Sequence, residues 1–246
     1  MRQASSARGV IHVHTEFSFD GALDAARIAE KCRERGLAFA AVADHAESMD
    51  SKQLDRLVGE CRANSDSSFV LIPGLEHRYR HGVHILALGQ SRWTTEPSTV
   101  DMLSSLADDD CALVAAHCAS PHDLPPELLE ILTAVEIWNV SRDMRLLPTS
   151  RHLPVYQHWA ARYPNLYAVG GLDMHKGNEW GCEVVLDSPC EASTGAVLER
   201  LKAGRFSTRS RLLSFGSRPA GGVRNLAFAA GDVLVAARDL RNRVFR

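Results

Sequence analysis

The sequence lacks several features that would each point to a particular class of protein. None of its six cysteines stands in a Cys-x-x-Cys pair, so we expect them, Cys190 included, to be reduced and mostly buried. No Gly-x-Gly-x-x-Gly motif follows a predicted strand, which leaves a dinucleotide-binding fold without support. No apolar run approaches the length of a transmembrane helix, and the first residues lack the apolar stretch of a secretory signal. Together these absences predict a cytoplasmic protein.

The chain also has little net charge. Its 28 basic and 30 acidic residues leave a formal charge of −2, so charge gives no indication of a nucleic-acid or anionic membrane partner. An apolar fraction of 45% and a charged fraction of 24% are typical of a globular protein with a full core. At 246 residues we expect one large domain over residues 1–208. Residues 209–246 are predicted to be a linker and an amphipathic helix. No pattern predicts an oligomeric state.

What the chain does have is an apolar segment near its start that carries two histidines, His12 and His14. The β-branched residues around them favour a strand, and alternation along it would place both imidazoles on one face. Two neutral imidazoles at the end of a buried strand make half of a metal site. Asp20 follows in a loop where Gly21 permits a tight turn.

Hydrophobic periodicity predicts a mixed α/β chain. Apolar residues at helical spacing predict helices over residues 24–36, 51–64, 99–107, 126–132, 154–163, 194–203 and 223–246. Short apolar runs between them predict strands. Because strands and helices alternate, we expect a parallel sheet, and about seven such units at this length favour a closed or nearly closed (β/α) barrel. A doubly wound open sheet is the alternative.

Residues of metal-binding types recur where the predicted strands end. In an α/β barrel these ends meet on one face. His84 lies within an apolar run, where a free imidazole needs a partner, and we choose it over His81, which we expect at the rim. The candidate ligands, with Asp20 and His84 included, are His12, His14, Asp20, His45, Glu76, His84, His117, Asp173 and His175.

This ligand set indicates the chemistry of the site. Six histidines and three carboxylates without a thiolate suit zinc, manganese or iron. Nine ligands are too many for one tetrahedral ion and suit two or three divalent ions. Several cations close together activate a bridging water and hold an anionic group, which is the arrangement used for phosphate ester hydrolysis.

With these residues assembled, the chain resembles the polymerase and histidinol phosphatase (PHP) family of metal-dependent phosphoesterases, most closely its short stand-alone members. One departure is Ala43, which stands where the family usually has threonine. The matching segments are His12-Val13-His14-Thr15 with Ser18, Asp20-Gly21, Ala43-Asp44-His45, Gly74-Leu75-Glu76, Val83-His84, Ala116-His117 and Asp173-Met174-His175.

The resemblance implies a distorted, TIM-like barrel of seven strands, which we expect over residues 1–208; the C-terminal helical appendage is predicted by apolar spacing alone. It also implies how the ligands are divided among the ions. One ion would be held by His12, His14, Glu76 and Asp173. A second would be held by Asp20, His45 and His175, and a third by Glu76, His84 and His117.

The expected reaction is attack of a metal-bridging hydroxide on the phosphorus of a small phosphomonoester or nucleotide-like phosphodiester. Asp44 would keep His45 in its ligating tautomer, and Arg142 and Arg145 would clamp the phosphate. Two rival functions are an amidohydrolase acting on C–N or C–O bonds and a non-catalytic metal-binding barrel. Glu76 and the lack of a lysine at a strand end argue against the first. Open coordination positions argue against the second.

Overall fold

The computed structural model describes residues 6–80, 82–94, 98–187, 191–219 and 223–244. His81 and Cys190 lie outside these ranges. The helices are α1 (Ala25–Glu34), α2 (Ser51–Ala63), α3 (Val100–Asp108), α4 (Pro126–Ile131), α5 (Leu153–Ala160), α6 (Thr194–Lys202) and α7 (Val223–Val244). The strands are β1 (Arg8–Val13), β2 (Phe39–Val42), β3 (Asp44–His45), β4 (Val70–Ile72), β5 (Gly74–Arg78), β6 (His84–Leu88), β7 (Ala112–Ala116), β8 (Ala134–Asn139), β9 (Tyr167–Gly171), β10 (Glu183–Leu186), β11 (Phe206–Arg209) and β12 (Ser214–Gly216).

The predicted α/β class is confirmed, but the described strands form two six-stranded sheets rather than one closed barrel. Their orders are β12-β11-β10-β1-β2-β4 and β3-β5-β6-β7-β8-β9. The chain passes from the first sheet to the second twice within a single residue, at Ala43 between β2 and β3 and at Pro73 between β4 and β5. Pro73 has no N–H to donate to a ladder, so a break in pairing at this position is expected.

The two sheets also meet where β1 ends. Val13 forms an isolated parallel bridge with Met174, just beyond β9. The backbone N–H of His14 donates to the Met174 carbonyl at 2.9 Å, and that of Leu172 donates to the Ile11 carbonyl at 3.0 Å. These bonds bring the ends of β1 and β9 together, although the two strands belong to different sheets.

Strand direction differs from the all-parallel prediction around β6. Residues 79–83, which join β5 to β6, are too few for a crossover helix, so the two strands pair antiparallel. The next strand, β7, is antiparallel to β6 as well. His84 therefore stands at the start of its strand. Because β6 runs in the opposite direction, this start lies beside the ends of β5 and β7.

The C-terminal part of the chain also departs from the predicted organisation. The division at residue 208 falls inside β11, and the predicted linker contributes β12. Both strands extend the first sheet through β10, which pairs antiparallel with β1. Residues 209 and 214–216 of the predicted linker therefore belong to the sheet.

The core is divided by the pleat of the strands. Along β1, Val10 faces the apolar cluster beneath α1 and α2, while Ile11 faces a second cluster that both sheets share. Helix α6 contributes Val197 and Leu201 to this second cluster. It contacts β4 and β10 of one sheet and β7 of the other, so the helix fills space between the sheets.

Helix α7 packs on the rest of the molecule at several points along its length, including Arg238, whose Nη1 donates to the Asp143 carbonyl oxygen at 3.0 Å. Phe228 is fully buried, and the Asp232 carboxylate accepts hydrogen bonds from the Ser150 backbone and hydroxyl at 2.9 and 2.5 Å. Further along, Val233 and Leu240 are mostly exposed. Within the described ranges, no helix combines the length and apolar character that crossing a bilayer requires.

The five described cysteines are buried and form no disulfide, as expected. Burial raises the pKa of the Cys111 thiol to about 11 and that of Cys32 to about 12. At neutral pH these thiols are protonated, and they act as small apolar side chains.

Candidate metal centre

The structure brings all nine predicted ligand residues into one cluster. They stand at or near the ends of β1, β3, β7 and β9, in the middle of β5 and at the start of β6, and Asp20 reaches in from the loop after β1. Their donor atoms form four overlapping groups in which every atom lies within 4.8 Å of the others. The groups are His14, Asp20, His45 and His175; His12, His117 and Asp173; His12, His14 and Glu76; and His45, Glu76 and His84.

Glu76 lies at the middle of the cluster. Its Oε1 is 2.6 Å from His84 Nδ1, and its Oε2 is 3.0 Å from His45 Nδ1. His12, His14 and His117 each direct Nε2 towards it at 3.4–3.6 Å. Burial by itself would raise the pKa of Glu76, but the surrounding imidazoles hold it well below its ordinary value. Glu76 is therefore an ionised carboxylate with both oxygens available to cations.

Asp173 joins the cluster from the segment after β9. Its Oδ1 lies 3.4 Å from Nε2 of both His12 and His14. Burial opposes ionisation, yet the neighbouring histidines lower the pKa of Asp173 below its usual range. Asn139 donates from Nδ2 to Asp173 Oδ2 at 3.1 Å and to Glu136 Oε2 at 2.9 Å, which fixes one face of the carboxylate.

Three of the cluster residues have unusual backbone geometry. His12, His117 and Asp173 have φ angles of 61°, 65° and 51°, in the left-handed region that non-glycine residues seldom occupy. At His12 the pairing of β1 with β2 also shifts register. The regular alternation predicted for His12 and His14 is therefore interrupted, and a bulge directs the His12 ring. Such strain is typical of functional sites.

Hydrogen bonds to Nδ1 set the tautomer of three histidines. His12 Nδ1 lies 2.9 Å from Glu136 Oε1, and His175 Nδ1 lies 2.8 Å from the Asp173 carbonyl oxygen. His14 Nδ1 lies 3.1 Å from Ser18 Oγ, whose own proton goes to Asp44. Each Nδ1 must therefore carry the proton, since its partner can only accept. This leaves the Nε2 lone pairs free to bind a cation.

Several imidazole nitrogens in this cluster are buried and have no hydrogen-bond partner among the described residues. They are His12 Nε2, His14 Nε2, His45 Nε2 and His117 Nδ1. A buried polar atom without a partner costs about 1–3 kcal/mol. Neutral imidazole is the commonest protein ligand for metals. The donor set thus fits divalent cations, which would give these nitrogens partners.

Asp44 supports the cluster differently from the prediction. It accepts hydrogen bonds from the backbone and hydroxyl of Thr15 at 2.7 and 2.6 Å and from the Ser18 hydroxyl at 2.6 Å. Burial raises the pKa of Asp44, and these donors oppose that rise. Its described contacts do not include the His45 ring. Asp44 acts through Ser18 on the tautomer of His14.

The two predicted phosphate-binding arginines differ in position. Arg142 lies at the edge of the cluster, with Nε 3.6 Å from Asp173 Oδ2 and 56% of its side chain exposed. Arg145 is exposed and makes no contact with the cluster in the described part of the chain. The structure thus brings Arg142 to the centre and leaves Arg145 outside it.

The cluster opens to solvent on the side of Asp20 and His175. Asp20 is 39% exposed and lies 3.4 Å from His45 Nε2 and 3.3 Å from His175 Nε2. The neighbouring Phe19 is 71% exposed, and its ring stacks on His45 at 4.8 Å between centroids. A substrate entering from this side would meet the open face of Phe19.

Sequence reasoning gave no role to Phe19 or Glu136. The signal for Glu136 was present, because an acidic side chain inside the apolar strand β8 needs a buried partner. The partner is His12, which only the fold reveals. Gly171 makes this approach possible, since a Cβ at that position would stand 1.9 Å from Glu136 Oε1.

No protein-family model matches the chain, and no curated protein matches its sequence. Among solved structures, PsfC from Pseudomonas syringae PB-5123 has a TM-score of 0.58 and 16% identity, covering 95% of this chain and 99% of that one. A predicted metal-dependent phosphoesterase from Bifidobacterium adolescentis has a TM-score of 0.47 and 19% identity, covering 68% and 87%. The match to PsfC shows a similar fold over nearly the whole length of both chains.

Proposed function

We propose that this protein is a metal-dependent hydrolase of phosphate esters, of the kind found in the PHP family. The observation that carries the proposal is the convergence of six histidines and three carboxylates in one pocket, with several imidazole nitrogens buried and unpartnered. Polar side chains that are buried for structural reasons alone would have hydrogen-bond partners within the protein. These nitrogens and carboxylate oxygens face one another, as the ligands of neighbouring cations do.

Nine donors suit two or three ions of the borderline class, namely zinc, manganese or iron. We infer that Glu76 is shared between ions, since its two oxygens face different histidines. Bound cations would activate water and neutralise the charge that develops on phosphate oxygens. Together with β8, the strands that carry the ligands would form a distorted seven-stranded barrel if β2 with β3, and β4 with β5, each count as one strand.

The chain's own groups have distinct tasks in this proposal. Glu136 and Ser18 keep the Nδ1 protons of His12 and His14 in place, so that both rings act as ligands through Nε2. Asn139 fixes the orientation of Asp173. Arg142, held over Asp173 and still half exposed, would donate to a phosphate oxygen at the open side of the pocket.

The open rim favours small substrates with an accessible phosphate. The exposed ring of Phe19 offers an apolar face beside the pocket, which suits the leaving group of an aryl or nucleotide-like ester. Phosphomonoesters and small phosphodiesters are both compatible with this arrangement. An amide substrate would offer the Arg142 guanidinium no anionic group to bind.

The test combines metal analysis with turnover. Purified protein is analysed for zinc, manganese and iron and assayed with an aryl phosphate, a bis-aryl phosphate and an aryl amide. We expect two or three ions per chain and turnover of a phosphate ester. His14→Ala and Asp173→Asn should lose metal and activity, whereas His158→Ala, an exposed histidine on α5, should not. Full metal content and activity in both site variants would refute the proposal, and preference for the amide would favour an amidohydrolase.

A further inference from the structure

A second cleft, of about 710 Å³, lies outside the metal centre. It runs past the start of β1, the end of α1, the segment before β10 and the end of β11. None of the nine clustered ligand residues lines it. Its charged and aromatic lining consists of Arg8, Arg35, Trp180, Glu183, Arg209 and Arg211.

The cleft concentrates positive charge in a nearly neutral protein. Four guanidinium groups face one carboxylate, a formal excess of three positive charges. That carboxylate, Glu183, is shared, since Arg8 Nη1 approaches it at 3.0 Å and Arg209 Nη2 at 3.5 Å. A concave surface lined by charge of one sign focuses the field and attracts counter-ions.

The arginines are held to different degrees. Arg8 is fixed, because its Nη2 also donates to the backbone oxygens of Arg35 and Gly36 at 3.2 and 3.3 Å. Arg35 lies over Trp180, with Cζ 3.9 Å from the ring centroid. Arg211 is exposed and makes no hydrogen bond or ion pair with any described residue. Among the described residues, the guanidinium of Arg209 makes one long contact, from Nη2 to Glu183.

We propose that this cleft binds a diphosphate group, either as inorganic diphosphate or as part of a nucleoside diphosphate. Arg209 and Arg211 supply the unsatisfied guanidinium donors, and Arg8 and Arg35 form a fixed positive wall. The planar fork of arginine matches phosphate oxygens with two parallel hydrogen bonds. A diphosphate carries about three negative charges at neutral pH, which matches the excess of the cleft. A monophosphate, with a second pKa of about 6, carries fewer.

The site differs from the metal centre in what it requires of its ligand. No histidine and no second carboxylate lines the cleft, so binding there needs neither a cation nor a scissile bond. The proposal thus stands or falls separately from the proposed hydrolase activity. Trp180, which lines the cleft, provides a fluorescence signal for occupancy.

The experiment measures diphosphate binding to the full-length, metal-loaded protein by calorimetry and tryptophan fluorescence. We compare wild type with the double variant Arg209→Gln/Arg211→Gln and with a control of equal charge, Arg56→Gln/Arg62→Gln, whose arginines are exposed on α2. The metal centre is the same in all three, so any binding there contributes equally. Far-UV circular dichroism and thermal melts verify that each variant is folded.

We expect saturable binding that weakens at least tenfold in the cleft variant and is unchanged in the control. Added salt should weaken it, and monophosphate should bind less tightly than diphosphate. If the nucleoside diphosphate binds more tightly than inorganic diphosphate, and Trp180→Phe reduces that difference, the nucleotide is the ligand. If the two ligands bind with equal affinity, the cleft recognises the diphosphate group alone. Equal affinity in wild type and cleft variant, or no saturable binding to wild type, would overturn the proposal.

Discussion

At the residue scale, the geometry of the candidate metal centre depends on side chains outside its nine candidate ligands. Glu136 shows this most directly, because it holds the Nδ1 proton of His12. Burial alone would lower the pKa of His12, but Glu136, Asp173 and Glu76 hold it well above its ordinary value. By holding the proton on Nδ1, Glu136 determines that Nε2 is the nitrogen left to bind a cation.

We therefore expect Glu136→Gln to weaken metal binding while the nine ligand residues remain in place. Losing the charged acceptor of a ligating histidine typically costs 10–100-fold in metal affinity. Competition with a chromophoric chelator measures the change. Glu130→Gln, an exposed glutamate on α4, should leave the affinity unchanged. Wild-type affinity in Glu136→Gln would show that the contact with His12 does not support metal binding.

Most of the nine candidate ligand residues were predictable because they lie in or just after an apolar run that forms a strand; Asp20, in the loop after β1, is the exception. Hydrophobic runs locate strands, and the ends of strands gather at one side of a sheet. Glu136 and Phe19 were not predictable in this way. Their roles come from contacts with His12 and His45, which lie more than 20 residues away in sequence, and hydrophobic pattern does not specify such pairs.

Phe19 gives a second prediction at this scale. Its exposed ring stands at the open side of the pocket and stacks on His45. If aryl phosphates are substrates, Phe19→Ala should raise KM for them several-fold, because it removes an apolar contact worth about 1 kcal/mol. Metal content should be unchanged, as Phe19 offers no ligand atom.

Steady-state kinetics with an aryl and an alkyl phosphate provide the internal control, since only the aryl ester would lose a ring contact. The exposed Leu212 is a matched apolar position away from the pocket, and Leu212→Ala should alter neither KM. An equal rise in KM for both esters in Phe19→Ala would contradict a stacking role.

Asp66 gives a prediction about stability and pH away from the metal centre. Its carboxylate accepts hydrogen bonds from the Ser68 hydroxyl and backbone at 2.6 and 2.7 Å and pairs with Arg33 at 2.7 Å. These contacts lower the pKa of Asp66 below its usual value. Because the folded pKa is the lower one, the stabilisation is present above the unfolded pKa of about 4 and is lost as pH falls further.

We expect wild type to unfold at a higher denaturant concentration than Asp66→Asn near neutral pH. The difference should shrink as the pH is lowered below about 4. Denaturant titrations at several pH values test this. Asp55→Asn, an exposed aspartate on α2, is the control and should show no such convergence. A difference that is constant with pH would rule out the ionised carboxylate as its cause.

At the element scale, helices and strands were predictable to different degrees. The seven predicted helices are all present, since apolar residues at helical spacing mark them locally. Asp24 and Asp50 cap two of the longer ones, α1 and α2. Strand direction was not predictable from the same signals. Whether β6 runs parallel or antiparallel to β5 depends on the short connection between them. An apolar run indicates a strand but not the direction in which the strand pairs with its neighbour.

Helix α7 offers a test of how closely two elements pack. Gly231 lies where the helix crosses the loop before α5, and a Cβ there would stand 1.9 Å from the Pro148 carbonyl oxygen. Gly231→Ala should therefore destabilise the protein by about 1–3 kcal/mol through overpacking, despite the better helix propensity of alanine. Denaturant unfolding gives the change in free energy.

Gly195 is the matched control, because it also lies in a helix, α6, and a Cβ there would meet nothing within 4 Å. Gly195→Ala should be neutral or stabilising by up to ~1 kcal/mol. Limited proteolysis should cut α7 faster in Gly231→Ala than in wild type. If both alanine variants gain stability, the close contact with Pro148 does not constrain the helix.

At the scale of the whole molecule, one site draws on both sheets. β1 of the first sheet carries His12, while β5 and β7 of the second lead to Glu76 and His117. The class of the fold could be predicted from alternating strands and helices. The division into two sheets could not, because it results from local events, including the break at Pro73 and the register shift at His12.

Because ligands from both sheets meet in one pocket, cations bound there should stabilise the entire fold. A ligand present at a hundred times its Kd adds about 2.7 kcal/mol per site, and for a chain of this size each kcal/mol raises Tm by about 2–4 °C. Removing the ions also leaves the negative charges of Glu76 and Asp173 without cations to offset them. We expect chelation to lower Tm by roughly 5–10 °C per site that was saturated to that degree.

Calorimetric melts before and after chelation measure this loss, and added zinc or manganese should reverse it. Asp173→Asn is the control, since a variant that binds less metal has less stabilisation to lose on chelation. The chelated wild type should melt closer to this variant than the loaded protein does. Metal analysis must first show that the ions have been removed. If the wild-type Tm is then unchanged, the two sheets hold together without the ions, and the cluster serves binding or catalysis alone.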